Sequence, residues 1–168
     1  DKMITVEKDV YYFNTDGYMA TGWQIVSNNK YYFNSDGKMV TGFQAINGST
    51  YYFGKDGAMV TGLAEIGDYR YYFGSDGKMK TGWQTINNHK YYFSDNGRML
   101  TGWLKLSTGE YYFATNGTMC TGFTVIGENT YYFNDDGKKH TGWKTINTTK
   151  YYFDSNGIML TYRHRIDN

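Results

Sequence analysis

Apolar and polar positions along the chain repeat with a period of 20. Tyr-Tyr-Phe stands at 11, 31, 51, 71, 91, 111, 131 and 151 without insertion or deletion, and self-similarity at a short fixed period marks an array of one copied supersecondary unit. Thr-Gly follows at 21, 41, 61, 81, 101, 121 and 141, and an Asp-Gly or Asn-Gly pair ends at Gly17, Gly37, Gly57, Gly77, Gly97, Gly117, Gly137 and Gly157. The unit at Thr81 predicts two short strands, Trp83 to Ile86 and Lys90 to Phe93. A polar turn separates them, recurring as Ser27-Asn28-Asn29, Asn47-Gly48-Ser49 and Ser107-Thr108-Gly109. The Asx-Gly pair makes a second turn, where Gly supplies a positive φ. A lone hairpin is marginal in water, so successive hairpins must stack. The expectation is an all-β chain, a β-solenoid of 20-residue hairpins, each touching chiefly its neighbours. It forms a single repeat domain over 1–168, with a partial unit at 1–20, full units starting at 21, 41, 61, 81, 101, 121 and 141, and a partial end at 161–168 where Ile166 restores the sixth-position aliphatic.

Alternation within the strands assigns the side chains to faces. The sixth position is always aliphatic (Val26, Ile46, Ile66, Ile86, Leu106, Ile126, Ile146) and faces the core. With a loop of about four residues it lies opposite the first Tyr, which puts that Tyr and the Phe, as in Tyr91 and Phe93, in the core. The second Tyr then shares an open face with the solvated residue before the pair, and the ring after Thr-Gly lies diagonally beside it. A row of candidate binding pairs results: Trp23 with Tyr32, Phe43 with Tyr52, Trp83 with Tyr92, Trp103 with Tyr112, Phe123 with Tyr132 and Trp143 with Tyr152. Leu63 removes the ring from one unit. Rings stack on the C–H faces of sugars, and Gln24, Gln44, Gln84, Lys30 and Lys90 can orient them.

Composition follows from the repeat. The eight Tyr-Tyr pairs account for 16 of the 19 Tyr, seven of the eight Met share one register, expected to fill gaps between hairpins, and all four Trp share another. With 20% aromatic residues the chain is not disordered, and with a mean hydropathy of −0.66 it carries no membrane span. Seventeen basic and 16 acidic residues leave +1 without a charge run, so neither nucleic acid nor membrane insertion is expected. One cysteine, Cys120, excludes an internal disulfide and a thiolate zinc site; it sits in a register of Val40, Val60 and Leu100 and is expected to be an inert buried thiol. The Asx-Gly turns fit neither of the recurrent calcium-loop spacings. His89, His140 and His164 fall in three registers and no carboxylate pair recurs, so no catalytic residue, metal or cofactor is expected. The chain lacks a signal-peptide pattern, and beginning at Asp1 it reads as a piece of a longer protein.

Thr-Gly-Trp-Gln, a short turn, Lys-Tyr-Tyr-Phe and Asx-Ser-Asp-Gly-Lys-Met together resemble the cell-wall-binding (choline-binding) repeat family across essentially the whole chain. That superfamily includes the glucan-binding repeats of streptococcal glucosyltransferases and the short repeats of large clostridial toxins. The resemblance implies a left-handed solenoid and a non-catalytic binding role. In choline-binding members the Trp after Thr-Gly, an aromatic before Tyr-Tyr, a Tyr of the next hairpin and often a Met form the cage. Here the residue before Tyr-Tyr is Val10, Lys30, Thr50, Arg70, Lys90, Glu110, Thr130 or Lys150, never aromatic. A carbohydrate ligand is therefore expected ahead of choline: a polysaccharide, cell-wall polymer or host glycan bound by multivalent stacking at a secreted or surface protein. The alternatives are a toxin receptor-binding region, a choline-binding module, and a structural solenoid forming a homodimer.

Overall fold

The chain's structure, a computed structural model, describes residues 1–161; the predicted partial end lies almost wholly outside them. Among the described residues there is no helix. In the described residues sixteen five-residue strands pair as eight antiparallel hairpins: β1 (Lys2–Val6) with β2 (Asp9–Phe13), β3 (Gly22–Val26) with β4 (Asn29–Phe33), β5 (Gly42–Ile46) with β6 (Ser49–Phe53), β7 (Gly62–Ile66) with β8 (Tyr69–Phe73), β9 (Gly82–Ile86) with β10 (His89–Phe93), β11 (Gly102–Leu106) with β12 (Gly109–Phe113), β13 (Gly122–Ile126) with β14 (Asn129–Phe133), and β15 (Gly142–Ile146) with β16 (Thr149–Phe153). The partial unit at 1–20 thus forms a whole hairpin without a Thr-Gly. The described residues form two compact units, the first of residues 1–82 and 93–98, the second of 83–92 and 99–161.

Loop length corrects the expected register. Two residues, not four, join the strands, so Val26 pairs with Asn29, Gln24 with Tyr31 and Trp23 with Tyr32, and the same pattern holds in β11–β12 and β15–β16. The Trp is therefore directly opposite the second Tyr rather than diagonal to it. The slip is by two residues, so every side chain keeps its expected face. The loops are of the primed kind that match strand twist: Ser27-Asn28, Asn87-Asn88 and Asn147-Thr148 hold positive φ at both central residues.

Stacking is carried by backbone and rings together. In the first unit the N–H of Met39, Met59 and Met79 donates to the carbonyls of Val10, Lys30 and Thr50, each at 2.8 Å. In the second, Met119 donates to Lys90 and Met159 to Thr130, both at 2.8 Å. Each bond ties the segment after one hairpin to the second strand of the preceding one. Phe33, Phe53, Phe73, Phe93, Phe113, Phe133 and Phe153 are wholly buried, joined by Ile46, Tyr51, Tyr71 and Tyr111. The Met register fills gaps between hairpins, as expected: Met39 lies where a Cβ on Gly57 would be, and Met99 likewise over Gly117. The Asx-Gly glycine is thus required twice, by φ near +80° and by the sulfur above it.

The open face is corrected as well. Tyr32, Tyr52, Tyr92, Tyr112 and Tyr132 are half-buried and only Tyr152 is exposed. The Phe of the next hairpin covers them, at ring separations of 6.3 Å for Tyr52–Phe73, 6.5 Å for Tyr92–Phe113, 6.4 Å for Tyr112–Phe133 and 6.1 Å for Tyr132–Phe153. In a stack of hairpins both faces meet a neighbour. A single hairpin read alone has one wet face; stacking covers the second Tyr of that face and leaves the ring after Thr-Gly partly open.

Candidate ligand site

What stays accessible is the ring after Thr-Gly. Trp83, Trp103, Phe43 and Phe123 are between 39% and 45% exposed. Each stands edge-on to the second Tyr of its own hairpin: Trp23–Tyr32 at 5.1 Å, Phe43–Tyr52 at 4.8 Å, Trp83–Tyr92 at 5.2 Å, Trp103–Tyr112 at 5.1 Å, Phe123–Tyr132 at 5.1 Å and Trp143–Tyr152 at 5.0 Å. All six expected pairs are therefore brought together, and at Leu63 the ring is missing.

The sequence reading missed the second wall. The first Tyr of the following hairpin also meets the ring edge-on: Trp23–Tyr51 at 5.0 Å, Phe43–Tyr71 at 5.1 Å, Trp83–Tyr111 at 5.0 Å, Trp103–Tyr131 at 5.1 Å and Phe123–Tyr151 at 5.0 Å. Tyr51, Tyr71 and Tyr111 were expected in the core, and they are buried, yet each also forms one side of an aromatic corner between hairpins. Trp143 has no such ring beyond it among the described residues and is 71% exposed.

In the second unit a shallow cleft of about 370 Å³ opens at one corner, lined by Trp83, Gln84, Thr85, Lys90, Thr108, Tyr111, Asp136 and Lys138. The Thr108 and Tyr111 hydroxyls are 3.1 Å apart, within hydrogen-bond reach. Asp136 pairs with Lys138 at 3.0 Å; the Lys138 backbone N–H, then its ammonium, holds that carboxyl below its ordinary range. A smaller cleft of about 260 Å³ is lined by Trp143, Lys144, Thr145 and Lys150. In the first unit the Lys30 ammonium sits 4.3 Å above the centre of the Trp23 ring, a cation–π contact. The Leu63 cleft, about 230 Å³, is lined by Ala64 and an Arg70–Glu65 ion pair. Gln24 and Gln44 spend their amide donors on the Thr21 and Thr41 carbonyls. Cys120 is half-buried rather than fully buried as expected, and burial pushes its thiol up, which disfavours the reactive thiolate. Among the described residues no group of three His, Cys, Asp or Glu side chains is placed to hold a metal ion.

A repeated hairpin with a ring corner at five of its junctions is the build of a repeat-based binding module. The chain belongs to the choline-binding repeat family, which matches residues 2–41, 20–61 and 80–121; residues 61–79, 121–139 and 141–159 match the cell wall binding repeat. Among solved structures it is similar to choline binding protein F from Streptococcus pneumoniae, at 32% identity and a TM-score of 0.87 over 95% of this chain and 57% of that one. The same protein in the presence of a peptidoglycan analogue, a tetrasaccharide-pentapeptide, gives 33% identity and 0.87 over the same shares. CbpJ from Streptococcus pneumoniae TIGR4 gives 28% and 0.85 over 98% of this chain and 68% of that one. The chain spans just over half the length of choline binding protein F. No curated protein sequence matches it at a significant level.

Proposed function

We propose that the chain is a non-catalytic module that holds a secreted or surface-exposed bacterial protein on the cell wall, each aromatic corner contributing a weak site for the wall polymer. The observation that carries this reading is the aromatic corner, repeated five times with ring separations of 5.0–5.1 Å to the next hairpin. A half-exposed ring beside hydroxyls and amides suits the C–H face of a sugar. Choline binding protein F in the presence of a peptidoglycan analogue supports a wall polymer over a host glycan. At Trp23 the ring face already carries the Lys30 ammonium, which favours a saccharide there over a quaternary ammonium.

The test is sedimentation with purified bacterial walls, with and without competing wall-glycan fragments, choline, and soluble host glycans. Retention on walls, displaced by the fragments, is expected. No retention by a folded chain overturns the reading; displacement by choline alone moves it to choline, and concentration-dependent mass indifferent to any of these moves it to a homodimer. We propose further that the hairpins over 1–168 form one left-handed β-solenoid. An elongated small-angle scattering profile is expected, and a compact sphere of this mass overturns it.

A further inference from the structure

Three of the four Trp share a feature the other units lack. Lys30, Lys90 and Lys150 stand seven residues after Trp23, Trp83 and Trp143, so the pairing recurs every 60 residues. At the other rings after Thr-Gly the residue before Tyr-Tyr is not a free cation, although the Lys139 ammonium, paired with Glu110, lies 5.4 Å from the centre of the Trp103 ring. Phe43 and Phe123 go with Thr50 and Thr130, and Leu63 goes with Arg70, which is paired to Glu65. At Trp103 the position is Glu110, flanked by Lys105 at 3.4 Å and paired with Lys139. By contrast Lys30, Lys90 and Lys150 make no ion pair with another described residue. Lys90 and Lys150 are exposed, and each lines the cleft of its Trp.

Resting on the wall-polymer reading above, we infer that these three Trp–Lys positions are a distinct set of subsites that take a saccharide carrying an anionic group, its ring on the Trp and its carboxylate or phosphate on the Lys. Lys30 shows the reach: an ammonium in this register comes within 4.3 Å of the ring centre, so an anionic substituent of a stacked sugar falls within its arc. An anionic group beside Trp23 offers the Lys30 ammonium a stronger, charge-assisted partner than the ring face. In the Trp83 cleft Asp136 pairs with Lys138 and also faces the Lys90 charge, so two ammonium groups against one carboxylate leave one positive charge in surplus.

The experiment titrates the full chain, followed by Trp fluorescence, with three sugars sharing one ring: N-acetylglucosamine, N-acetylmuramic acid and N-acetylglucosamine 6-phosphate. At low salt at least one anionic sugar is expected to bind about five-fold more tightly than the neutral one, and whether the carboxylate or the phosphate gains more identifies the source. The advantage should vanish at about 0.5 M salt and in the Lys30→Gln/Lys90→Gln/Lys150→Gln variant. Equal binding of all three sugars by the native chain, an advantage that survives in the variant, or no binding of any sugar overturns the inference. Wall sedimentation of the same preparation separates the two failures: retained binding leaves the wall reading standing, and lost binding removes both.

Discussion

Thr148 holds φ at +71° in the loop between β15 and β16, where the equivalent loops place Asn28, Gly48 and Asn88. A β-branched residue pays more than Asn or Gly for the left-handed region, about 1–2 kcal/mol for an ordinary side chain. Thr148→Asn is therefore expected to raise stability by about 1 kcal/mol, seen as a higher denaturant midpoint at unchanged slope; a lower midpoint would mean that the hydroxyl's bond to the Asn147 carbonyl, at 2.5 Å, outweighs the strain. Glu110 offers a second test at this scale. Its bond to Lys139 holds the carboxyl below its ordinary value of about 4.3, with Lys105 adding to the effect and burial opposing it. A carboxyl depressed on folding contributes stability that is present above its unfolded value and is lost as pH falls through the folded one. Thermal melts of the native chain and Glu110→Gln should hence differ most near neutral pH and converge as the pH falls below the ordinary carboxyl range. A gap that does not change with pH would show that Glu110 acts by packing alone.

Between elements, the decisive contact is a sulfur over a glycine. Gly117→Ala must place a methyl where Met99 sits and also strain a φ of +86°, whereas Gly102→Ala meets nothing within 4 Å and strains only a φ of +77°. The first is expected to cost about 2–4 kcal/mol and the second about 1–2 kcal/mol. Combining Gly117→Ala with Met99→Ala should cost less than the two single changes added, by about 1 kcal/mol or more; strict additivity in denaturant melts would remove the sulfur from the account. Strands, turns and the buried Phe were legible because they depend on local alternation and turn chemistry, copied eight times. The loop length was not, since Ser27-Asn28-Asn29 reads equally as two or more loop residues until the φ values of Ser27 and Asn28 are known. Nor was the double role of Tyr111. A parity argument assigns one face per side chain within a hairpin, while the corner with Trp83 arises only when another hairpin is set against it.

Across the whole molecule, the proposed binding rests on number rather than on any one cleft. Each is shallow, and a site of about 260–370 Å³ holding one sugar ring is weak alone; several on a continuous polymer gain through effective concentration. Soluble and polymeric ligands must then respond differently to the loss of a corner. Replacing Trp23, Trp83, Trp103 and Trp143 by Ala one after another should lower the calorimetric stoichiometry for a short wall-glycan fragment stepwise while leaving the affinity of the remaining corners nearly unchanged, because repeats interact chiefly with their neighbours. Retention on intact walls should instead fall multiplicatively, on the order of ten-fold per corner, as each loss removes one intramolecular attachment. If a single change such as Trp83→Ala abolished wall retention outright with the fold intact, one corner would be the site, and the other repeats would serve only to present it.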